Sequence, residues 1–299
     1  MRRRQVHPRD KAAGAVRAAA PSSAAASPLA PSSAHPHAAG LSAATPPVDS
    51  LQRGLEVLRC FRPGEDALEA AEVASRLALP AATARRLLET LEAQGFLLRA
   101  EGSTRFGLHV ACLVLGQAVV GSSALARSAQ PLLHLFSERF GGSGIACVHE
   151  RDHMLMLAHA AADTAGLHGA GGTRALGVGM QVPVATSAFG HAWLWTQDAQ
   201  VQALWLARLR EGAQAAGNAP ALYRAFHELE AHGVCQVSEP ARRDIVTFAA
   251  PLTLHDGSVA VIGCVREGPL AEGMPSHNEC ATALAALAGT LRDEVMRRS

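Results

Sequence analysis

The stretch Leu79-Pro80-Ala81-Ala82-Thr83-Ala84-Arg85-Arg86-Leu87-Leu88-Glu89-Thr90-Leu91 decides how this chain is read. Ala84, Leu87, Leu88 and Leu91 fall at i, i+3, i+4 and i+7, which places them on one apolar stripe of a helix. Ala82, Arg86 and Glu89 occupy the opposite face, with Thr83 and Arg85 on its flanks. Pro80 suits the first helical position, where a missing N–H costs nothing. Upstream, Ala70, Val73, Ala74 and Leu77 repeat the spacing on a shorter helix, and Ala78-Leu79-Pro80 joins the two. Two short amphipathic helices on a tight turn form a helix-turn-helix pattern, in which the second helix enters the DNA major groove.

The flanks extend this pattern. Asp49 or Ser50 is placed to cap an earlier helix whose apolar stripe is Leu51, Leu55 and Leu58, running on to Phe61 and closed by Pro63-Gly64. Gly95 is placed to end the second helix in the left-handed conformation. Phe96-Leu97-Leu98-Arg99 and Thr104-Arg105-Phe106-Gly107-Leu108 predict two strands around Glu101-Gly102, the wing of a winged helix-turn-helix, with Arg99 and Arg105 carrying its positive charge. A helix pair alone is a weak signal, whereas three helices, a short turn and a wing together are specific. The competing reading makes Arg85 and Arg86 a solvated face paired with Glu89 and Glu92 at helical spacing.

Composition limits the alternatives. A chain of 299 residues is long enough for two domains and more. Its formal net charge is only +1, so DNA binding has to rest on where individual arginines sit. Six cysteines are scattered without a C-x-x-C, which favours a reduced cytoplasmic compartment over a disulfide framework. No apolar run reaches the roughly 18–20 residues that span a bilayer, so a soluble protein without a membrane partner is expected.

Along the chain, residues 1–48 are Ala, Pro and Ser behind Arg2-Arg3-Arg4, a composition expected to stay disordered. Residues 49–108 make the winged domain. Residues 109–123, with Val110, Leu113 and Val114, predict a connecting helix apolar enough to bury against something, a second copy of the chain being a suitable partner. Residues 124–299 make a second domain. It opens with a helix over 124–140 that buries Leu125, Ala129, Leu132, Leu133 and Phe136 and is interrupted by Pro131. Ile145-Ala146-Cys147-Val148 and Met154-Leu155-Met156-Leu157 predict a hairpin around Arg151-Asp152. The glycine-rich stretch at Gly166, Gly169, Gly171 and Gly172 lacks the helix start and Lys-Ser/Thr of a phosphate loop. Helices are expected over 187–195, 198–209, 222–232 and 278–296, and strands over 234–237, 245–254 and 259–265. That order gives an α+β fold, an antiparallel sheet with helices packed around it.

With these residues in view, the sequence resembles the IclR family of bacterial transcriptional regulators over about residues 49–298. Leu51-Gln52-Arg53-Gly54-Leu55, Leu79-Pro80 through Leu88, Leu91-Glu92-Ala93-Gln94-Gly95-Phe96 and Arg105-Phe106-Gly107-Leu108 carry the resemblance in the first domain. Val182-Pro183-Val184-Ala185-Thr186-Ser187-Ala188-Phe189-Gly190-His191-Ala192, Phe248-Ala249-Ala250-Pro251 and His255-Asp256-Gly257-Ser258-Val259 carry it in the second. The resemblance implies a winged helix-turn-helix joined by a helix to a GAF-like effector-binding and oligomerisation domain. It further implies a homodimer or homotetramer on palindromic double-stranded operators, repressing or activating a catabolic gene cluster in response to a small carboxylate or aromatic acid. The DNA contacts it implies are Arg53, Ala82, Thr83, Arg85 and Arg86, beside Arg99 and Arg105 of the wing. Ala81-Ala82 stand where members of that family often carry Lys-Ser. The effector contacts it implies are the backbone at Ala188 and Phe189, with Val237, Thr247, Cys264 and Arg266. Arg266 suits a carboxylate, which a guanidinium can grip through two parallel hydrogen bonds. The alternative leaves Arg266 exposed at the end of its strand.

Fourteen histidines invite an enzyme or metal reading, yet neither H-E-x-x-H nor G-x-S-x-G occurs, and no catalytic residue or cofactor is expected. Cys147 and His149 alternate on one strand and so share a face. With further ligands they would make a metal- or redox-responsive regulator, the rival to an acid sensor.

Overall fold

The computed structural model describes residues 48–62, 64–162, 176–211, 215–238, 244–267 and 273–298. The tail over 1–47, Pro63 and the glycine-rich stretch lie outside the described residues.

The N-terminal elements are α1 (Asp49–Arg59), β1 (Leu68–Glu69), α2 (Ala70–Leu77), α3 (Ala81–Ala93), β2 (Leu97–Leu98) and β3 (Arg105–Leu108). They share one core of Val57, Leu68, Val73, Ala84, Leu88, Leu97 and Phe106. Ala84 and Leu88 are fully buried, with Leu87 and Leu91 packed at the edge, so the stripe expected of the second helix is the one that folds inward. Gly95 has φ +77°, as its place after α3 requires. Three features depart from the sequence reading. Pro80 precedes α3 as its cap residue instead of occupying its first turn. The α1 helix buries Val57, while Leu51 and Leu55 stand 63% and 51% exposed, because only the side of α1 facing α3 finds a partner. The wing has a third strand, with order β1-β3-β2, because Leu68 and Glu69 pair with Phe106 and Arg105.

The connection consists of α4 (Cys112–Ser122), followed after a bend of 81° by α5 (Ala124–Phe140). No residue of α4 is buried. Among the described residues no single helix is long and apolar enough to cross a membrane.

The remaining elements are β4 (Ser143–Glu150), β5 (His153–Ala161), β6 (Gln181–Pro183), α6 (Ala188–Trp195), α7 (Ala199–Glu211), α8 (Ala215–His232), β7 (Cys235–Ser238), β8 (Ile245–Thr253), β9 (Val259–Glu267) and α9 (His277–Arg298). Six strands form one sheet in the order β6-β5-β4-β9-β8-β7, and every neighbouring pair is antiparallel. Helices cover both of its faces. One layer joins α5 and α9 to Ala146, Phe248, Ala260, Ile262 and Cys264. The other joins α6, α7 and α8 to Ile145, Cys147, Ala249, Val261 and Val265. Consecutive residues of β9 therefore belong to opposite layers, as the pleat demands. In β5 a bulge opposite Ala146/Cys147 shifts this assignment. Met154 and Met156 join the α6 layer, but Ala158 and Ala160 join the α5 layer.

Leu88→Ala empties the centre of the first core, so it is expected to lower the stability of the α1–β3 unit by about 2–5 kcal/mol. Urea unfolding followed by near-ultraviolet absorbance and helical circular dichroism measures this, and an unchanged midpoint for the first unit would contradict the packing described.

Candidate nucleic-acid interface and effector site

Burial of Ala84 and Leu88 turns the other side of α3 to solvent. Ala82, Arg85 and Arg86 are exposed there and Thr83 is half-buried. Among the described residues neither Arg85 nor Arg86 forms an ion pair, although Glu89 stands one turn along α3, and Glu92 is bound by Arg99. Arg53 is likewise exposed on α1.

The wing arginines are held differently. Arg99 donates two hydrogen bonds to Glu92, at 2.9 and 2.7 Å, and its guanidinium lies 4.7 Å from the centre of the Phe106 ring. Arg105 donates to the Ala67 carbonyl at 2.6 Å and reaches Glu69 and Glu72 at 3.5 and 3.4 Å. Both therefore tie the wing to the helices. Of the charges expected to face DNA, the structure leaves those on α1 and α3 open and engages those on β2–β3. A further arginine, which sequence reasoning missed, acts as a brace. Arg76 grips Glu65 through two bonds of 2.7 and 2.8 Å and donates to the Cys60 carbonyl at 2.7 Å. This pair is separated by 11 positions with no helical register to announce it.

On the second unit, Ser187 caps α6 by accepting from the Gly190 N–H at 3.0 Å. The Ala188 and Phe189 N–H groups that follow have no acceptor among the described residues, as first-turn donors of a helix. The helix lies directly on the sheet. Cys235 donates to the Ala188 carbonyl at 3.6 Å, and the Phe189 ring covers Gly263, where an added Cβ would come within 2.5 Å of it. Gly190 is required just as strictly, since a Cβ there would meet Val184 backbone at 2.1 Å. Cys235, Ala249 and Gly263 form one cross-strand row beneath the start of α6, and Val237, Thr247 and Val265 form the next row on that face.

That register divides the expected effector set. Ala188, Phe189, Val237 and Thr247 meet on the α6 side. Cys264 pairs with Phe248 and Arg266 with Val246, both of which point into the α5–α9 layer. Arg266 is 5% exposed and donates to the Pro275 carbonyl at 3.0 Å, so it is neither an exposed strand-end residue nor a neighbour of α6. Val265 and Glu267 hold the corresponding positions on the α6 side. The uninterrupted apolar run Val259-Ala260-Val261-Ile262-Gly263-Cys264-Val265 gave no alternation from which to tell the two faces apart.

Cys147 and His149 do share the α6 face, with the His149 ring stacked on Trp193 at 3.7 Å and 8°. Cys147 is fully buried, donates to the Val261 carbonyl at 3.4 Å, and burial pushes its thiol far up. Among the described residues no group of three or more His, Cys, Asp or Glu is arranged to hold a metal ion. His191, also in α6, is 1% exposed and bonded to the Ala185 carbonyl at 3.1 Å. Burial pushes its imidazole below the ordinary value, which keeps it neutral.

Comparison with known proteins agrees with this geometry. Residues 50–101 match the IclR helix-turn-helix domain. The Pca regulon regulatory protein of Pseudomonas putida is 27% identical over 213 residues, 70% of this chain and 71% of that one. Among solved structures, an IclR family transcriptional regulator from Brucella abortus superposes with a TM-score of 0.70 at 25% identity, covering 84% of this chain and 93% of the other. An IclR homologue from Microbacterium hydrocarbonoxydans complexed with 4-hydroxybenzoate shares the fold, with a TM-score of 0.62 at 20% identity over 84% of this chain and all of that one (100%). The matched domain and the shared fold agree: residues 50–101 form an IclR-type helix-turn-helix domain, and over most of its length the chain is similar to IclR family transcriptional regulators.

Proposed function

We propose that the protein is a ligand-responsive repressor or activator of a catabolic gene cluster, and that its effector is a small organic or aromatic acid. The observation that carries the DNA half is the outward pair Arg85 and Arg86, without an ion-pair partner among the described residues, on a helix whose other side is fixed by Ala84 and Leu88. In the arrangement we propose, residues 49–108 read DNA, 109–123 connect, and 124–299 bind effector and oligomerise, behind a tail over 1–48.

The effector half rests on the start of α6. Two unpaired N–H groups, Ala188 and Phe189, present partial positive charge to an anion. Val237, Thr247 and Val265 in the adjoining row and the Phe189 ring supply a mostly apolar wall. A carboxylate on the donors with an apolar or aromatic body against the sheet fits this set. One relative of the same fold is bound to a member of this class, 4-hydroxybenzoate. Arg266 has no part in this site, because it lies across the sheet.

The exposed apolar face of α4 supports a homodimer. Val110 just before it and Leu113, Val114, Leu115 and Val119 within it stand between 56% and 69% exposed, and large exposed apolar surface marks an interaction site. A two-fold pair of chains would set two recognition helices on a palindromic site. Ligand binding then acts through its different affinity for two arrangements of the pair.

The DNA, effector and dimer readings each have a test. Arg86→Ala should weaken binding to the protein's own operator by about 1–3 kcal/mol, whereas Arg99→Ala, whose guanidinium is tied to Glu92, should weaken it less. A gel-shift titration in which Arg86→Ala binds like wild type would remove the base-reading role. A thermal-shift screen of mono- and dicarboxylates and aromatic acids, 4-hydroxybenzoate among them, should find an acid that raises the melting temperature. Ala188→Pro deletes one donor at a helix position that tolerates proline, and should weaken that acid roughly tenfold or more. An acid response that survives Ala188→Pro and vanishes in Arg266→Gln would put the ligand on the other face. Finally, Leu113→Asp with Val114→Asp should convert a dimer to a monomer in sedimentation velocity, and a wild-type chain that is monomeric at micromolar concentration would refute the pairing.

A further inference from the structure

Two buried polar atoms on the α6 side of the sheet lack a partner. Ser143 on β4 is 0% exposed, and its hydroxyl has no hydrogen bond among the described residues. The same holds for the buried Nε2 of His159 on β5. Leaving such atoms unpaired is costly, and folded proteins rarely do so without a reason. Ser137 shows the usual outcome on the α5 side of the same sheet. Its hydroxyl accepts from the Gly144 N–H at 3.0 Å and donates to the Ala160 carbonyl at 2.9 Å.

Register fixes where the two orphans point. Ser143 pairs with Val265 and His159 with Ile145, and both of those partners belong to the α6 layer. The row of Gly263, beneath the start of α6, continues through Ile145 to His159, while the row of Thr247 and Val265 continues to Ser143. Ser143 and His159 are therefore diagonal neighbours on adjacent strands, near enough for one small group to touch both. Gly263, which lies under the Phe189 ring, is one strand away from Ser143.

We propose that Ser143 and His159 form a second polar subsite of the effector pocket, selecting aromatic acids that carry a hydroxyl opposite the carboxylate. The inference rests on reading the Ala188 and Phe189 N–H groups as the carboxylate site. A hydroxyl satisfies both orphans at once, because it offers one donor and two lone pairs. It donates to His159 Nε2 while accepting from the Ser143 hydroxyl, or the reverse with the other imidazole tautomer. Burial lowers the proton affinity of His159 and keeps its ring neutral, so the subsite has no charge to offset a second carboxylate. An aromatic ring above Gly263, in the place that Phe189 now fills, would lie between the two subsites. Neighbouring strands are about 4.8 Å apart, so a hydroxyl on the far edge of that ring comes within reach of Ser143. His159 stands one strand further, with the longer side chain.

The test is calorimetric titration of the full-length protein with three acids built on one ring: benzoate, 4-hydroxybenzoate and terephthalate. 4-Hydroxybenzoate should bind roughly tenfold or more tightly than either of the others. That preference should vanish in Ser143→Ala and in His159→Phe. Ala188→Pro should instead weaken benzoate and 4-hydroxybenzoate by the same factor, which separates the two subsites. Ligand-free Ser143→Ala should melt no lower than wild type, since its hydroxyl has no bond to lose. The hydroxyl subsite is overturned if benzoate binds as tightly as 4-hydroxybenzoate, or if both variants keep the preference. A clear loss of thermal stability in Ser143→Ala, or no binding of 4-hydroxybenzoate at millimolar concentration, overturns it too. The carboxylate site is judged apart from these, because Ala188→Pro binding every acid like wild type would count against that site alone.

Discussion

The pleat of β8 and β9 is the constraint on which the larger unit depends. Both strands are covered by helices on both faces, so each residue is committed to one layer or the other with no solvent side in between. Register then does what alternation of polar and apolar residues does in a half-exposed sheet. Thr247 opposite Val265 assigns one set to α6, and Phe248 opposite Cys264 assigns the next to α9. A slip of one position would exchange Gly263 and Val265 beneath α6 for a thiol and a buried guanidinium.

A comparable division operates in the first unit, through charge instead of burial. The wing and helices are joined by Arg76–Glu65, Arg99–Glu92 and Arg105 with Glu69 and Glu72. These pairs are partly or largely exposed and individually add little stability. They occupy Glu65, Glu69, Glu72 and Glu92, and among the described residues Arg85 and Arg86 form no ion pair. A chain of net charge +1 can thus still present concentrated positive charge on one helix.

Much of this was legible in the sequence. The α3 stripe, the turn at Ala78 to Pro80, the wing, the hairpin at Arg151 and the order of helices and strands all follow from periodicity and turn residues, because each is a local signal. Apart from the one-position shift of Pro80 to the cap of α3, the losses were non-local. The third wing strand depends on two residues, Leu68 and Glu69, too short to show a period. Leu51 and Leu55 satisfy a helical stripe, but which stripe of α1 turns inward depends on where α3 lies. The bulge in β5 swaps faces within a perfectly alternating segment, and Arg266 was assigned to the wrong side of a strand with no polar residue to mark the sides. Sequence period reports that a residue is buried, whereas only pairing reports against what.

The Phe189 ring on Gly263 has one more implication. The space beneath the start of α6 is already filled by the protein's own aromatic side chain, 3% exposed. Any molecule entering there has to lift that ring, and the close seat of Gly190 on Val184 leaves α6 little room to yield without moving as a whole. Trp193, on the same helix, is stacked on His149, and the neighbouring Glu150 approaches Arg59 of α1 to 4.0 Å. The ring is thus a plug carried by a helix that rests, through Trp193 and His149, on the end of β4 that approaches α1.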